Sequence, residues 1–256
     1  MAAQKITHPS AEEREALGAE ARTRTPLSSH TKWRPAIDRP DPVALLEEQN
    51  LTREPDLVPV RHGRMMVSPF TFYRGAAKMM AADLKDTPVA GLHAQLCGDA
   101  HLSNFGVFAS PERRLLFDLN DFDETLPGPF EYDVKRMAAS FMIAGRFNGF
   151  SAADANASTL AAVAAYRKAM TSFAAMRTME VWYARLDEDE IMTAVRTTVA
   201  EAKQAATSSA KGAKKREKLA QKAAKRVEQT RLKARTRDSM HALSKLGEFV
   251  DGAYRI

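Results

Sequence analysis

The sequence predicts an α+β fold, mostly helical, with a short β-strand and hairpin region and a long helical C-terminal half. Three observations predict it. Apolar residues recur at three- and four-residue steps over much of the chain. That period gives way at residues 92–117 to three short apolar runs: residues 92–97, Val107-Phe108 and Leu115-Leu116-Phe117. After the breaker Pro127-Gly128-Pro129, helical spacing returns and persists.

The elements follow in order. Residues 1–40 are polar and rich in charge and Pro, which predicts disorder or an extended arm wrapping the domain. Asp41-Pro42 is a helix start, with Asp at the N-cap and Pro at the first helical position. Ser68-Pro69 repeats the signal and predicts one helix from about Pro69 to Lys85, with Phe70, Tyr73, Ala77, Met80 and Leu84 on its apolar face. The first apolar run, bounded by Gly91 and Gly98, predicts a strand. The next two flank turn material at Ser110-Pro111 and predict a hairpin. An amphipathic helix is predicted from Glu131 to about Arg146, an Ala-rich helix capped by Ser151, and another capped by Asp187. Three divisions follow: an arm at 1–40, a domain carrying the central loop at 41–200, and a basic helical segment at 201–256.

Composition excludes several classes. No apolar run reaches the roughly 18 residues that span a bilayer, and the N-terminus lacks a secretory apolar core. The expectation is a cytoplasmic protein with no membrane partner. A single cysteine, Cys97, allows no internal disulfide and reads as a small buried hydrophobe. The six histidines lack zinc-ligand spacing. The net charge of +6 is uneven: residues 201–237 hold thirteen Lys or Arg against three Glu, an excess of +10, which leaves −4 elsewhere (6 − 10).

The chemistry-bearing pattern is Gly98-Asp99-Ala100-His101-Leu102-Ser103-Asn104. Phosphoryl transfer needs a carboxylate to orient a hydroxyl, and an amide oxygen and second carboxylate to hold Mg²⁺ against phosphates. Asp99 and Asn104 have the five-residue spacing of kinase catalytic loops. Asp118, ending the third apolar run, is the favoured metal ligand. Asp121 is either a second ligand or part of a solvated acidic turn. His101 either holds the loop's shape by hydrogen bonds or transfers a proton. Asp133 either supports the loop by accepting backbone N–H bonds or is an ordinary acid in a helix first turn.

These residues carry a resemblance. The blocks Gly63-Arg64-Met65, Ser68-Pro69-Phe70, Phe72-Tyr73-Arg74-Gly75, residues 97–106, Phe117-Asp118-Leu119-Asn120-Asp121-Phe122-Asp123-Glu124-Thr125 and Tyr132-Asp133-Val134-Lys135-Arg136 resemble the bacterial DUF2252 family over about residues 15–256. That family is grouped with the protein-kinase-like superfamily, beside aminoglycoside phosphotransferases. The resemblance implies a partial kinase-like fold, with Asp99 as catalytic base, Asn104 and Asp118 as metal ligands, Asp133 as loop support, and ATP and Mg²⁺ as cofactors. Arg74 is a phosphate contact on this reading, with surface ion pairing as its alternative.

The sequence holds no Gly-x-Gly-x-x-Gly and no lysine in a Val-Ala-Ile-Lys-type strand. The resemblance implies that both follow the catalytic loop, beyond Ile256. The expectation is therefore a truncated phosphotransferase that binds ATP weakly or not at all, its acceptor unknown, with a missing lobe suppliable in trans. The alternatives are a non-catalytic remnant or scaffold, or a nucleic-acid-binding protein acting through residues 201–237. That segment lacks interleaved aromatics, which argues against nucleic acid.

Overall fold

The structure, a computed structural model, describes residues 9–31, 33–110, 112, 114–207, 213–235, 248–250 and 253–255. In chain order the elements are α1 (Ala11–Arg24), α2 (Pro42–Asn50), α3 (Val58–Met65), α4 (Pro69–Arg74), α5 (Ala77–Leu84), β1 (His93–Leu96), β2 (Phe105–Ala109), β3 (Leu115–Leu119), β4 (Leu126–Pro129), α6 (Glu131–Phe147), α7 (Ala152–Ala174), α8 (Thr178–Tyr183), β5 (Leu186–Asp187), α9 (Glu188–Thr207), α10 (Ala213–Arg235), β6 (Glu248–Val250) and β7 (Ala253–Arg255). The class is α+β and mostly helical, with small antiparallel sheets, as the sequence predicts. The described residues fall into two compact units that interleave along the chain. One takes residues up to Asn104 together with Asp121–Thr171, and the other takes Phe105–Asn120 and the chain from Ser172.

In the first unit, part of the expected arm is a helix. Ser10 and Glu13 close a capping box that satisfies two orphan N–H groups at the start of α1. The end of α1 is tied down by Arg24 donating to the Ala90 carbonyl and Thr25 to that of Val89. Further on, Trp33 donates to the Asp83 carbonyl and Arg39 grips the Asp83 carboxylate. Residues 11–24 are therefore neither disordered nor extended.

The single helix expected over residues 69–85 is two. It breaks at Gly75, where the N–H groups of Gly75 and Ala76 turn back to the carbonyls of Phe72 and Tyr73. Two guanidinium groups occupy the carbonyls at that break: Arg136 donates to Tyr73 O at 3.0 Å and Arg61 to Gly75 O at 2.8 Å. Helix-end carbonyls need such partners, and cations suit the negative end of the dipole. Met65 also sits so close that a Cβ on Gly75 would lie 2.6 Å from its Sδ.

Pro127-Gly128-Pro129 does not merely break the chain. It forms most of β4, paired antiparallel with β1 from His93↔Pro129 to Leu96↔Leu126. Buried Met65, Ala76, Met79, Leu84, Leu96 and Ala100 make the apolar core of this unit, with Ala155 of α7 fully enclosed. Ser151 caps α7, accepting from Asp154 N.

In the second unit, β2 and β3 form the predicted hairpin and β5 adds to β3. β3 runs one residue past Asp118 to Leu119, so Asp118 lies inside the strand rather than ending it. Helices α9 and α10 pack against each other, and Arg231 of α10 bridges Glu188 and Glu228. β6 and β7 pair as a ribbon. Among the described residues, no helix is long and apolar enough to cross a membrane.

Candidate functional site

The loop at residues 97–104 leaves β1 through Gly98, whose φ is +77°. A Cβ there would lie 1.9 Å from the carbonyl oxygen of Glu124, so both the left-handed backbone and the close approach require glycine. The loop then rests on one face of α6. Asp133, Arg136 and Ser140 recur at three- and four-residue steps, which stacks them on that face.

Each of the three holds a different part of the loop. Asp133 accepts from Cys97 N at 2.8 Å and from Gly98 N at 3.1 Å. Ser140 Oγ accepts from Leu102 N at 3.2 Å. Arg136, 2% exposed, makes an ion pair with Asp99 through Nε and Nη2. The guanidinium also donates to Tyr73 O and Met80 Sδ, and stacks over the Tyr73 ring at 4.5 Å. Tyr73 in turn donates to the Arg136 carbonyl at 2.8 Å.

Asp99 therefore has Arg136 on Oδ1, and His101 Nε2 stands 3.4 Å from Oδ2. Burial pushes its carboxyl pKa up. The His101 contact and the Arg136 charge overcome that and hold it below the usual aspartate value. His101 is itself 2% exposed, and its Nδ1 accepts from Ser103 N at 3.1 Å. This hydrogen-bond pattern assigns the neutral tautomer, with Nε2–H toward Asp99. Asn104, also buried, donates from Nδ2 to the Asp99 carbonyl at 2.9 Å and so closes the loop on itself.

Cys97 is half-buried rather than a core hydrophobe. Its thiol donates to Asp133 Oδ2 at 3.1 Å. Burial first, then the Asp133 hydrogen bond and charge, push its pKa up to about 12.

Asp99 opens on a cavity of about 680 Å³ within the first unit. Arg53, Arg61, Arg64 and Arg74 line it, as do Asp121, Asp123 and Glu124. The structure thus brings Asp99, Arg74 and Asp121 to one cavity, while His101, Asn104 and Asp133 secure the loop from behind. Asp118 belongs to the second unit, where its Oδ1 accepts from Leu119 N at 2.8 Å.

Among the described residues, no three His, Cys, Asp or Glu side chains converge closely enough to hold a metal ion. The carboxylates at the cavity offer hard oxygens, and Asp121 accepts from Asp123 N at 3.4 Å. Mg²⁺ characteristically takes one or two carboxylates from the protein and the remainder from phosphates and water.

Sequence reasoning assigns no role to Arg136, Ser140, Arg53, Arg61 or Arg64. The signal for the first two was present in the helical spacing 133/136/140 behind the loop. The signal for Arg61 and Arg64 was two arginines one turn apart on α3.

No curated protein and no solved structure matches the chain. One family model matches residues 53–255, a family described as an uncharacterized protein conserved in bacteria. That span includes the loop, its α6 support and every arginine of the cavity, and on it the chain belongs to the DUF2252 family.

Proposed function

We propose that this protein is a phosphotransferase of the kinase-like class, with Asp99 as the group that orients the acceptor hydroxyl. The observation that carries the reading is that Asp99, held anionic and fixed by Arg136 and His101, opens on a cavity also lined by the carboxylates of residues 121–124. Phosphoryl transfer asks little covalent chemistry of the protein; it asks for positioning and for charge placed where charge develops.

Arg136 and His101 each occupy one side of the carboxylate. An ionised carboxylate offers about four acceptor sites. Those left over accept the acceptor's O–H and aim its oxygen. A depressed pKa suits this role, since the group stays ionised near neutrality and receives the proton only as the hydroxyl is consumed. His101, neutral and bonded at Nδ1 to the loop, is a positioning residue for Asp99. Asp133 fixes the loop entry through two backbone N–H groups. Asp121, on the cavity wall, would supply a carboxylate oxygen to Mg²⁺, and the ion would neutralise charge on the transferring phosphate.

The test is release or transfer of label from γ-labelled ATP with Mg²⁺. Asp99→Asn keeps the side chain's shape and removes its charge. Turnover is expected to fall by at least about a hundredfold. An Asp99→Asn variant as active as the unaltered protein would sink the proposal.

A further inference from the structure

The cavity in front of Asp99 has a second wall. Arg53, Arg61, Arg64 and Arg74 all line it, arriving from the turn before Glu54, from α3 and from the end of α4. The ion pairs of this unit, Arg39–Asp83, Lys78–Glu48 and Arg136–Asp99 among them, use none of the four. Among the described residues, these four cations share one cavity without a direct ion pair to any of its carboxylates.

Arg61 is the best fixed of them. It is half-buried, and it donates from Nη2 to Gly75 O at 2.8 Å and from Nη1 to Met65 Sδ at 3.3 Å. These bonds hold one edge of its fork and set its orientation before any ligand arrives. Burial, and after it repulsion from the neighbouring Arg53, lower its pKa against an opposing pull from Glu124 and Asp99. An anion entering the cavity relieves that repulsion and gains forked, charge-assisted hydrogen bonds.

Asp121, Asp123 and Glu124 line the same cavity, and the Glu124 charge is felt at Arg61. An anionic ligand is attracted by the guanidinium groups and repelled by these carboxylates. A carboxylate has two oxygens and one charge, too few for four guanidinium groups. A phosphate chain has enough of both.

We propose that this arginine wall is a phosphate subsite, taking the phosphate chain or phosphate ester of a substrate, with Arg61 as the fixed anchor and Arg53, Arg64 and Arg74 as its partners. The choice of phosphate over other polyanions rests on the phosphotransfer reading; the anion site itself does not.

Titration calorimetry with inorganic tripolyphosphate, without Mg²⁺, tests it on the full chain. Arg64→Gln and Arg74→Gln are each expected to weaken binding about tenfold or more, and the double variant further. Arg64→Lys, which keeps the charge but not the fork, is expected to fall between. Arg177→Gln, an exposed pair partner of Glu180, is expected to leave binding unchanged. Thermal melts confirm that each variant is folded. Tripolyphosphate binding that is absent from the unaltered protein overturns the proposal. So does binding that survives both glutamine variants, including binding that follows Lys222→Gln and Lys225→Gln on α10 instead.

Competition then separates the sources. Displacement by ATP assigns the subsite to a nucleotide, and displacement by glycerol 3-phosphate assigns it to a phosphorylated acceptor. Arginine-dependent binding in a protein with no phosphate transfer keeps this inference and removes the phosphotransfer reading. Transfer that is lost in Asp99→Asn, with tripolyphosphate binding indifferent to the arginines, does the reverse.

Discussion

Arg136 is a full charge at 2% exposure, compensated by one carboxylate, a backbone carbonyl, a thioether and an aromatic face. Removing one partner of such a pair leaves the other unsatisfied where water cannot replace it. Arg136→Met is expected to destabilise the fold by about 3–5 kcal/mol, read by urea unfolding. Asp133 is the second point of support. Asp133→Ala strips two backbone N–H groups of their acceptor and is expected to cost about 2–4 kcal/mol in the same measurement. Asp133 has an independent readout in its neighbour. The Cys97 thiol is held at about 12 by burial, then by the Asp133 hydrogen bond and charge. At pH 8 the folded protein is expected to resist thiol reagents. Asp133→Asn removes the charge, so Cys97 is expected to react measurably faster while remaining folded. Equal rates in the two proteins would show that Asp133 does not govern this part of the loop.

At the scale of elements, the loop's geometry depends on Gly98. Alanine there meets both a positive φ and the Glu124 carbonyl. Gly98→Ala is expected to cost about 2–5 kcal/mol, since backbone rather than a side-chain tip must yield. Gly75→Ala is expected to cost less, about 1–3 kcal/mol, because only the flexible end of Met65 is in the way. A reversed order in matched thermal melts would refute the comparison. These two glycines also show where sequence reading succeeds and fails. Gly98, between an apolar strand and an Asp and Asn spaced five residues apart, announces itself by local spacing. Gly75 does not, because the apolar steps from Phe70 to Leu84 run through it without interruption. The break there is decided by Arg61 and Arg136, which come from elsewhere in the sequence to take the freed carbonyls. The Pro-Gly-Pro strand is hidden for a similar reason. Its pairing partner β1 lies some thirty residues earlier, and nothing local signals a ladder.

On the scale of the whole chain, the helical class, the β2–β3 hairpin and the caps at Ser10-like and Ser151-like positions follow from short-range rules, though only the second of those caps was read from the sequence. The cavity was not legible. Arg53, Arg61, Arg64 and Arg74 are ordinary surface residues by type, and only tertiary placement puts them in one cavity with Asp99. Fold and site meet in the pH dependence of stability. The folded Asp99 carboxyl lies below its ordinary value. Its contribution is therefore fully present above the unfolded pKa of about 3.9 and is lost as pH falls through that value and then through the folded one. Urea unfolding between pH 7 and pH 3 is expected to show stability falling on the acid side, with a shallower fall in Asp99→Asn. An identical slope in both proteins would exclude Asp99 from the acid response.

The β1–β4 ribbon beneath the loop has one more consequence. Two of the four residues of β4 are prolines, at alternate positions 127 and 129, and neither has an N–H to donate. Alternate residues of a strand address opposite sides, so the ladder to β1 uses the donors of Leu126 and Gly128, and the outward side is left with acceptors alone. An incoming strand would find no donors there to pair with. The β4 edge is in effect closed to strand addition, so copies of the chain cannot extend the ribbon from that side.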